Sequence, residues 1–361
     1  MFKILFAPLQ GYTTKAYRDV HAEFAGGIDA YYAPFLRVEN GIPRAKDLRD
    51  LENSENGASG TADPKASRSM RSQGTASAAK AVPQIIANGV EEFRILANAL
   101  QQRGFEEIDF NMGCPFPMQV NHHRGAGLLN DANTVAAIME EIAKLSSACG
   151  KGGDQGKSPV KFSVKMRLGE NSASEAFALL PVLNEAPIAH ITLHPRLGKQ
   201  QYKGALDFEA FERFYAECKH PLYLNGDIAT VERIRELESK YPKLAGVMIG
   251  RGLLANPALA TEYKSGRIWS ENERRTLVLK MHTALMDFAC STYQGDSQIL
   301  SHLQSFWEYQ ESSVPKKIFK KIRKAGNIEE YRAAVKLLDE SLCTQAAGVS
   351  PSSHNLDGDN R

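Results

Sequence analysis

Cys114 lies in the run Asn111-Met112-Gly113-Cys114-Pro115, at the end of an apolar stretch that begins at Glu107. A thiol held there between a glycine and a proline has three chemistries open to it: nucleophile, metal ligand and general acid. No Cys or His stands at metal-ligand spacing from it, which weakens the second. A lone cysteine is more often a buried, inert core residue, and residue type alone favours that plainer reading. What raises the chemical reading is its place in the chain.

Residues of this kind recur at one sort of place. Eight short apolar runs span Lys3 to Leu9, Asp29 to Phe35, Pro83 to Ala87, Glu107 to Met112, Val160 to Met166, His190 to His194, Pro221 to Leu224 and Gly246 to Ile249. Such runs suit strands buried on both faces, as in a parallel sheet. Helix-like stretches follow most of them, among them Val90 to Gln102, Asn133 to Leu145, Ser174 to Leu183 and Thr230 to Lys240. Strand–helix alternation repeated eight times predicts an α/β fold, a (β/α)8 TIM barrel. An open doubly wound sheet is disfavoured, because polar and glycine punctuation follows strand after strand and not one switch point. The punctuation reads Lys165 and Arg167, then His194-Pro195-Arg196, Asn225-Gly226-Asp227 and Gly250-Arg251-Gly252. In a barrel these ends share one mouth, where such enzymes place their active sites.

The chain has 361 residues, and a barrel takes about 250 of them. Beyond about Ser270 the period changes, and Glu271 to Cys290, Ser297 to Gln310 and Ile328 to Leu342 read as amphipathic helices. The expected division is a barrel over 1–268, a small helical domain over 269–345 and a disordered tail over 346–361. Residues 53–80 are polar and rich in Gly, Ser and Ala, and are expected to form a flexible insertion between the second and third strands. The Gly- and Lys-containing stretch over 150–157 has the same character, a smaller solvated loop.

Five cysteines, an odd number with no Cys-x-x-Cys, argue against a disulfide framework or structural zinc and for reduced thiols in the cytoplasm. The N-terminus lacks a signal peptide's features, and no apolar stretch has the length of a membrane span. A formal net charge of +2 does not announce a nucleic-acid binder. Local clustering does more: Pro315 to Lys324 carries six cations, among them Lys316, Lys317, Lys320 and Lys321. Ile318 and Ile322, four apart, would face one way. Taken alone, a basic helix is more often a solvated face than an RNA grip.

The sequence resembles the tRNA-dihydrouridine synthase family from Phe6 to about Pro257. Ala7-Pro8-Leu9-Gln10-Gly11 looks like that family's Ala-Pro-Met-x-Gly, and Ile108-Asp109-Phe110-Asn111-Met112-Gly113-Cys114-Pro115 is close to its Ile-Asp-Leu-Asn-x-Gly-Cys-Pro. Val164-Lys165-Met166-Arg167-Leu168-Gly169 is similar to its Val-Lys-x-Arg-Leu-Gly. Asn225-Gly226-Asp227-Ile228 and Val247 to Gly252 resemble its two phosphate-loop motifs. Each alone is weak, whereas all of them in order, one per strand end, are specific. The family more often has His-x-Arg-Thr where this chain has His194-Pro195-Arg196-Leu197.

The resemblance implies a bound FMN, lined by Pro8, Leu9 and Gln10 and contacted by Gln84. Lys165 would lie at the N1–C2 edge, where a cation stabilises the reduced flavin, and His194 would touch the flavin or its phosphate. A satisfied structural histidine is the competing reading of His194. Asn225, Gly226, Asp227, Gly250 and Arg251 would hold the phosphate, although Asn-Gly-Asp also suits a plain turn. NADPH would reduce the flavin, N5 would pass hydride to C6 of a tRNA uridine, and Cys114 would protonate C5. Asn111, Arg167 and Arg37 become candidate substrate contacts, and Lys316, Lys317, Lys320 and Lys321 candidate tRNA contacts in a C-terminal helical domain. A monomer is expected, without metal. No dinucleotide-binding fingerprint separates NADPH from NADH. The rivals are an FMN barrel acting on a free small molecule, a tRNA-binding protein that has lost catalysis and, more distantly, a metal-dependent hydrolase.

Overall fold

The structure is a computed structural model that describes residues 1–51, 81–147, 159–311 and 314–346. The expected insertion over 53–80, the loop over 150–157 and the expected tail beyond residue 346 lie outside the described residues. Two compact units are present, Met1–Ile268 and Trp269–Arg361.

The first unit is built on β1 (Lys3–Phe6), β2 (Ala30–Tyr32), β3 (Ala81–Val82 and Gln84–Ile85), β4 (Glu107–Met112), β5 (Lys161–Gly169), β6 (Ile188–Leu197), β7 (Leu222–Asn225) and β8 (Leu244–Ile249). Neighbours pair in parallel in the order β2–β1–β8–β7–β6–β5–β4, with the two halves of β3 at the ends. Pro83 divides β3 because it has no N–H for the ladder, yet its carbonyl accepts from Asp109 N–H at 2.9 Å. Ala81–Val82 pairs with β2 and Gln84–Ile85 with β4, so one interrupted strand closes the sheet into a barrel. The expected TIM-type barrel is therefore the observed one.

Helices Lys15–Phe24, Val90–Gln101, Ala132–Ser146, Ser174–Glu185, Phe208–Glu217 and Val231–Lys240 surround it. Side chains of Thr14, Asp131, Asp207 and Thr230 accept a first-turn N–H and set where four of them start. Their apolar stripes seal the outside of the sheet; the ring of Phe93, for one, stands 5.2 Å from Phe110 and 5.5 Å from Phe162.

Side chains alternate along a strand, so Asp109 and Asn111, Ser163, Lys165 and Arg167, and Thr192 and His194 share the inner face. Register sets Asn111 beside Lys165, Lys165 beside Thr192 and Arg167 beside His194. Beneath them Leu5, Ala7, Tyr32, Val82, Tyr223 and Met248 form a packed cluster. Strands β5 and β6 outrun the expected ends at Met166 and His194, because their pairing continues to Gly169 and Leu197.

The second unit holds helices Glu271–Thr292, Asp296–Phe306, Lys316–Lys324 and Ile328–Ala346. Met281, Leu303, Trp307, Ile322 and Tyr331 are buried in it. The Tyr331 hydroxyl lies 2.7 Å from His282 Nε2 and accepts from Trp307 Nε1 at 2.7 Å. No described helix is long and apolar enough to cross a membrane.

Candidate active site

Asn111 closes strand β4 and holds the loop that follows. Its Oδ1 accepts from the N–H groups of Gly113 and Cys114, at 3.0 and 2.9 Å. The Cys114 carbonyl accepts from Ala126 N–H at 2.9 Å, tying the two ends of the loop. Gly125 makes that approach possible: its φ is +60°, and a Cβ there would stand 2.6 Å from the Cys114 carbonyl oxygen. Cys114 is buried and unbonded to another cysteine. Burial pushes its thiol up, against a hydrogen bond at Phe116 and the charges of Arg167 and Lys165. A thiol in that state carries its proton at neutral pH and can give it away.

Two cations stand beside it. Lys165 is held down to about 8 by desolvation and by Arg167, against the pull of Asp109. Its Nζ has no hydrogen-bond or ion-pair partner among the described residues. Arg167 is buried, with Nε donating to the Gly113 carbonyl at 3.0 Å and Nη1 to the Leu197 carbonyl at 2.9 Å. It thus fixes the cysteine loop and the end of β6, and its guanidinium stands 5.5 Å from the Tyr202 ring centroid. His194 is kept neutral, well below its usual range, by burial and by Arg167, Lys165, Arg196 and Arg251.

The ends of β7 and β8 make a backbone cradle. Gly226 has φ +127°, and a Cβ there would lie 2.9 Å from the His194 ring and from Leu206. Gly250 leaves the space that a side chain would take next to Leu9 and Ala7. Asn225 Nδ2 donates to the Met248 carbonyl at 2.7 Å, coupling the two strand ends. Asp227 accepts from Arg251 at 3.1 Å and is paired with Arg196, which in turn lies 3.4 Å from His194 Nε2. Arg251 also stands 4.8 Å from the Tyr202 ring centroid. Two arginines thus meet one carboxylate beside two glycine turns, a set of donors of the kind that can hold a phosphate.

Strand β1 delivers Pro8 and Leu9, half-buried, and Gln10, exposed. Gln84 is buried, and its two polar atoms are engaged by Asp109 and Asn111. Arg37 is half-buried beside Asp47, and none of its described contacts reaches Cys114, Lys165 or His194. Lys316, Lys317, Lys320 and Lys321 belong to the second unit, all exposed, on a helix whose Ile322 is buried. Two residues to which the sequence reading gave no role stand beside these groups, Arg196 and Tyr202, and two more, Asp109 and Ser163, bond to one another deeper in the barrel. Arg196, and Asp109 in the motif around Cys114, stood in quoted runs and could have been weighed; Ser163 was hidden inside an apolar run, and Tyr202 lies outside the quoted runs. Among the described residues no group of three or more His, Cys, Asp or Glu could hold a metal ion.

A closed parallel barrel that gathers a thiol, two cations and two glycine turns at its strand ends has the form of an enzyme of the TIM-barrel class. The family model described as dihydrouridine synthase (Dus) matches residues 5–342. The chain belongs to this family and is an oxidoreductase of its class. It is 27% identical to a probable tRNA-dihydrouridine synthase of Rickettsia bellii, over 68% of this chain and 69% of the relative. It is 27% identical to tRNA-dihydrouridine(16) synthase of Pseudomonas putida, over 73% and 74%. A probable tRNA-dihydrouridine synthase of Staphylococcus epidermidis is 33% identical over 57% of this chain and 60% of its own.

Proposed function

We propose that this protein reduces the C5–C6 double bond of a uridine in tRNA, with FMN at the barrel mouth and Cys114 as the proton donor. The observation that carries the reading is the buried Cys114 thiol at the strand ends, on a loop held by Asn111 and Arg167 and within electrostatic reach of Lys165. FMN is compatible with the residues present: Arg251 and Arg196 gather at Asp227 beside the two glycine turns, and Lys165 Nζ has no hydrogen-bond or ion-pair partner among the described residues. The buried Thr192 hydroxyl, next to Lys165 in register, also has no hydrogen-bond partner among the described residues. Pro8, Leu9 and Gln10 would bound the ring, and His194, Asn225 and Asp227 would shape the phosphate end.

A bound FMN, reduced by NADPH, would supply the hydride for C6 of the uracil. Cys114 then gives its proton to C5. Lys165 would hold positive charge beside the bound cofactor. Arg167 fixes the Cys114 loop through the Gly113 carbonyl, and Asn111 fixes it through two N–H groups. The uridine has to leave its stack to reach them.

A tRNA substrate is favoured over a free small molecule by the helix Lys316–Lys324. Its six cations are exposed, it has no acidic residue in its first turn, and its N-cap makes no side-chain hydrogen bond. Like charges crowded near a positive helix end cost stability that a polyanion relieves. Cys114→Ala tests the proton donor. The variant keeps its flavin and its reduction by NADPH, while tRNA reduction falls by roughly 100-fold or more. Full turnover in that variant would remove Cys114 from the reaction.

A further inference from the structure

Beneath Cys114 a chain of buried polar side chains continues from Asn111 to residues that have no part in the proposed reaction. Ser163 Oγ donates to Asp109 Oδ1 at 2.6 Å, and Gln84 Nε2 donates to Asp109 Oδ2 at 2.6 Å. Asn111 Nδ2 donates to Gln84 Oε1 at 2.7 Å, and Asn111 Oδ1 takes the N–H groups of Gly113 and Cys114. All four side chains are buried.

The direction of this chain is forced. The backbone N–H groups of Gly113 and Cys114 can only donate, so Asn111 must turn its oxygen to them. Its NH2 then needs an acceptor, which makes Gln84 present its oxygen there and its own NH2 below. The last partner must therefore accept, and Asp109 accepts. We propose that Asp109 is a positioning residue: as terminal acceptor it locks the Gln84 and Asn111 amides in the one orientation that holds the Cys114 loop. This rests on the reading of Cys114 as proton donor.

The chain asks for an acceptor at that oxygen and not for a charge. A neutral amide at position 109 also satisfies it, oxygen to Gln84 and NH2 to Ser163 Oγ. An aliphatic side chain there strands the Gln84 NH2 in the barrel, frees both amides to turn, and lets the loop drift. Misplacement of a reacting group by an ångström costs about 100-fold in rate.

The experiment compares Asp109→Asn, Asp109→Leu and Ser163→Ala in the flavin-loaded protein. The readouts are kcat and KM for tRNA, and the iodoacetamide labelling of Cys114 relative to Cys218 by peptide mapping. Asp109→Leu is expected to lower kcat about 10- to 100-fold with little change in KM and to label Cys114 faster. Asp109→Asn and Ser163→Ala are expected to stay within about threefold of the parent on both readouts. Should Asp109→Leu not fold, Gln84→Met breaks the next link and is expected to label Cys114 faster in the same way. Parent-like kcat and labelling in Asp109→Leu, or in Gln84→Met taking its place, would overturn the proposal. So would an Asp109→Asn variant as impaired as Asp109→Leu, because charge would then be the active property. Labelling needs no turnover, so a fully active Cys114→Ala would remove the proton-donor reading and leave the positioning comparison standing.

Discussion

Lys165 carries the most testable electrostatics at the scale of single residues. Desolvation, and then Arg167, hold its ammonium at about 8, below the usual lysine range near 10.5. The unfolded chain therefore binds more protons between those two values, and stability rises with pH through that window. Burying this charge costs stability at neutral pH, as a group kept for chemistry does. In the proposed reaction the cation is the working form, so kcat is expected to fall on the alkaline side with an apparent pKa near 8. Lys165→Arg keeps a cation and should move that limb upward. Lys165→Met should lower kcat and abolish the limb. The kcat–pH profile checks both; a Lys165→Met variant with the parent's profile would assign the limb to another group. Cys114 does not confuse the test, because burial pushes its thiol upward, away from that pH.

At the scale of elements, the basic helix Lys316–Lys324 belongs to the second compact unit. Its cations are exposed while Ile322 is buried, so its positive face is independent of the packing that folds the unit. Replacing Lys316, Lys317, Lys320 and Lys321 together by Glu is expected to weaken tRNA binding by more than 10-fold and to leave flavin content unchanged. Undiminished tRNA affinity in a filter-binding or gel-shift titration would take this helix out of the interface.

The elements also explain what the sequence discloses. Lys165, Arg167, His194 and the two glycine loops stand out because each interrupts or ends an apolar run, and the barrel's geometry carries all strand ends to one mouth. Asp109 stands in the motif around Cys114 without showing a role, and Ser163 does not stand out at all, since a strand buried on both faces hides which of its faces looks inward. The split of β3 at Pro83 was not legible either, because it depends on two different neighbours claiming the two halves. The Arg196–Asp227 pair joins the ends of strands 31 residues apart in the chain, and no local spacing announces it.

At the scale of the whole molecule, buried imidazoles set the acid limit. His21 and His282 are held down to about 3 and His190 to about 4, each chiefly by burial. Unfolding lets each regain its proton near 6.5, so the unfolded chain binds more protons below that value and stability falls as pH drops from 6.5 towards 4. Each such group contributes about 1.4 kcal/mol per pH unit well below 6.5. Asp109 works the other way: burial raises it to about 6, so its contribution grows as pH falls from 6 towards 4 and offsets one histidine there. The net expectation is a steep loss of melting temperature below pH 6.5. His282→Gln should flatten that acid slope, even where it lowers stability at neutral pH through the lost bond to Tyr331. An unchanged slope in a melting series from pH 7 to pH 4.5 would show that His282 keeps its proton when folded.

The central claim is that electrons pass through a flavin at this barrel mouth to a uridine in tRNA. The visible absorption spectrum of the purified protein tests it most directly, with NADPH and then unmodified tRNA added anaerobically to one cuvette. The expected result is flavin bands that bleach with NADPH and return when tRNA is added. Bands that bleach and stay bleached would contradict the tRNA substrate and favour a small-molecule reductase. A colourless protein that takes up no FMN would contradict the flavin itself.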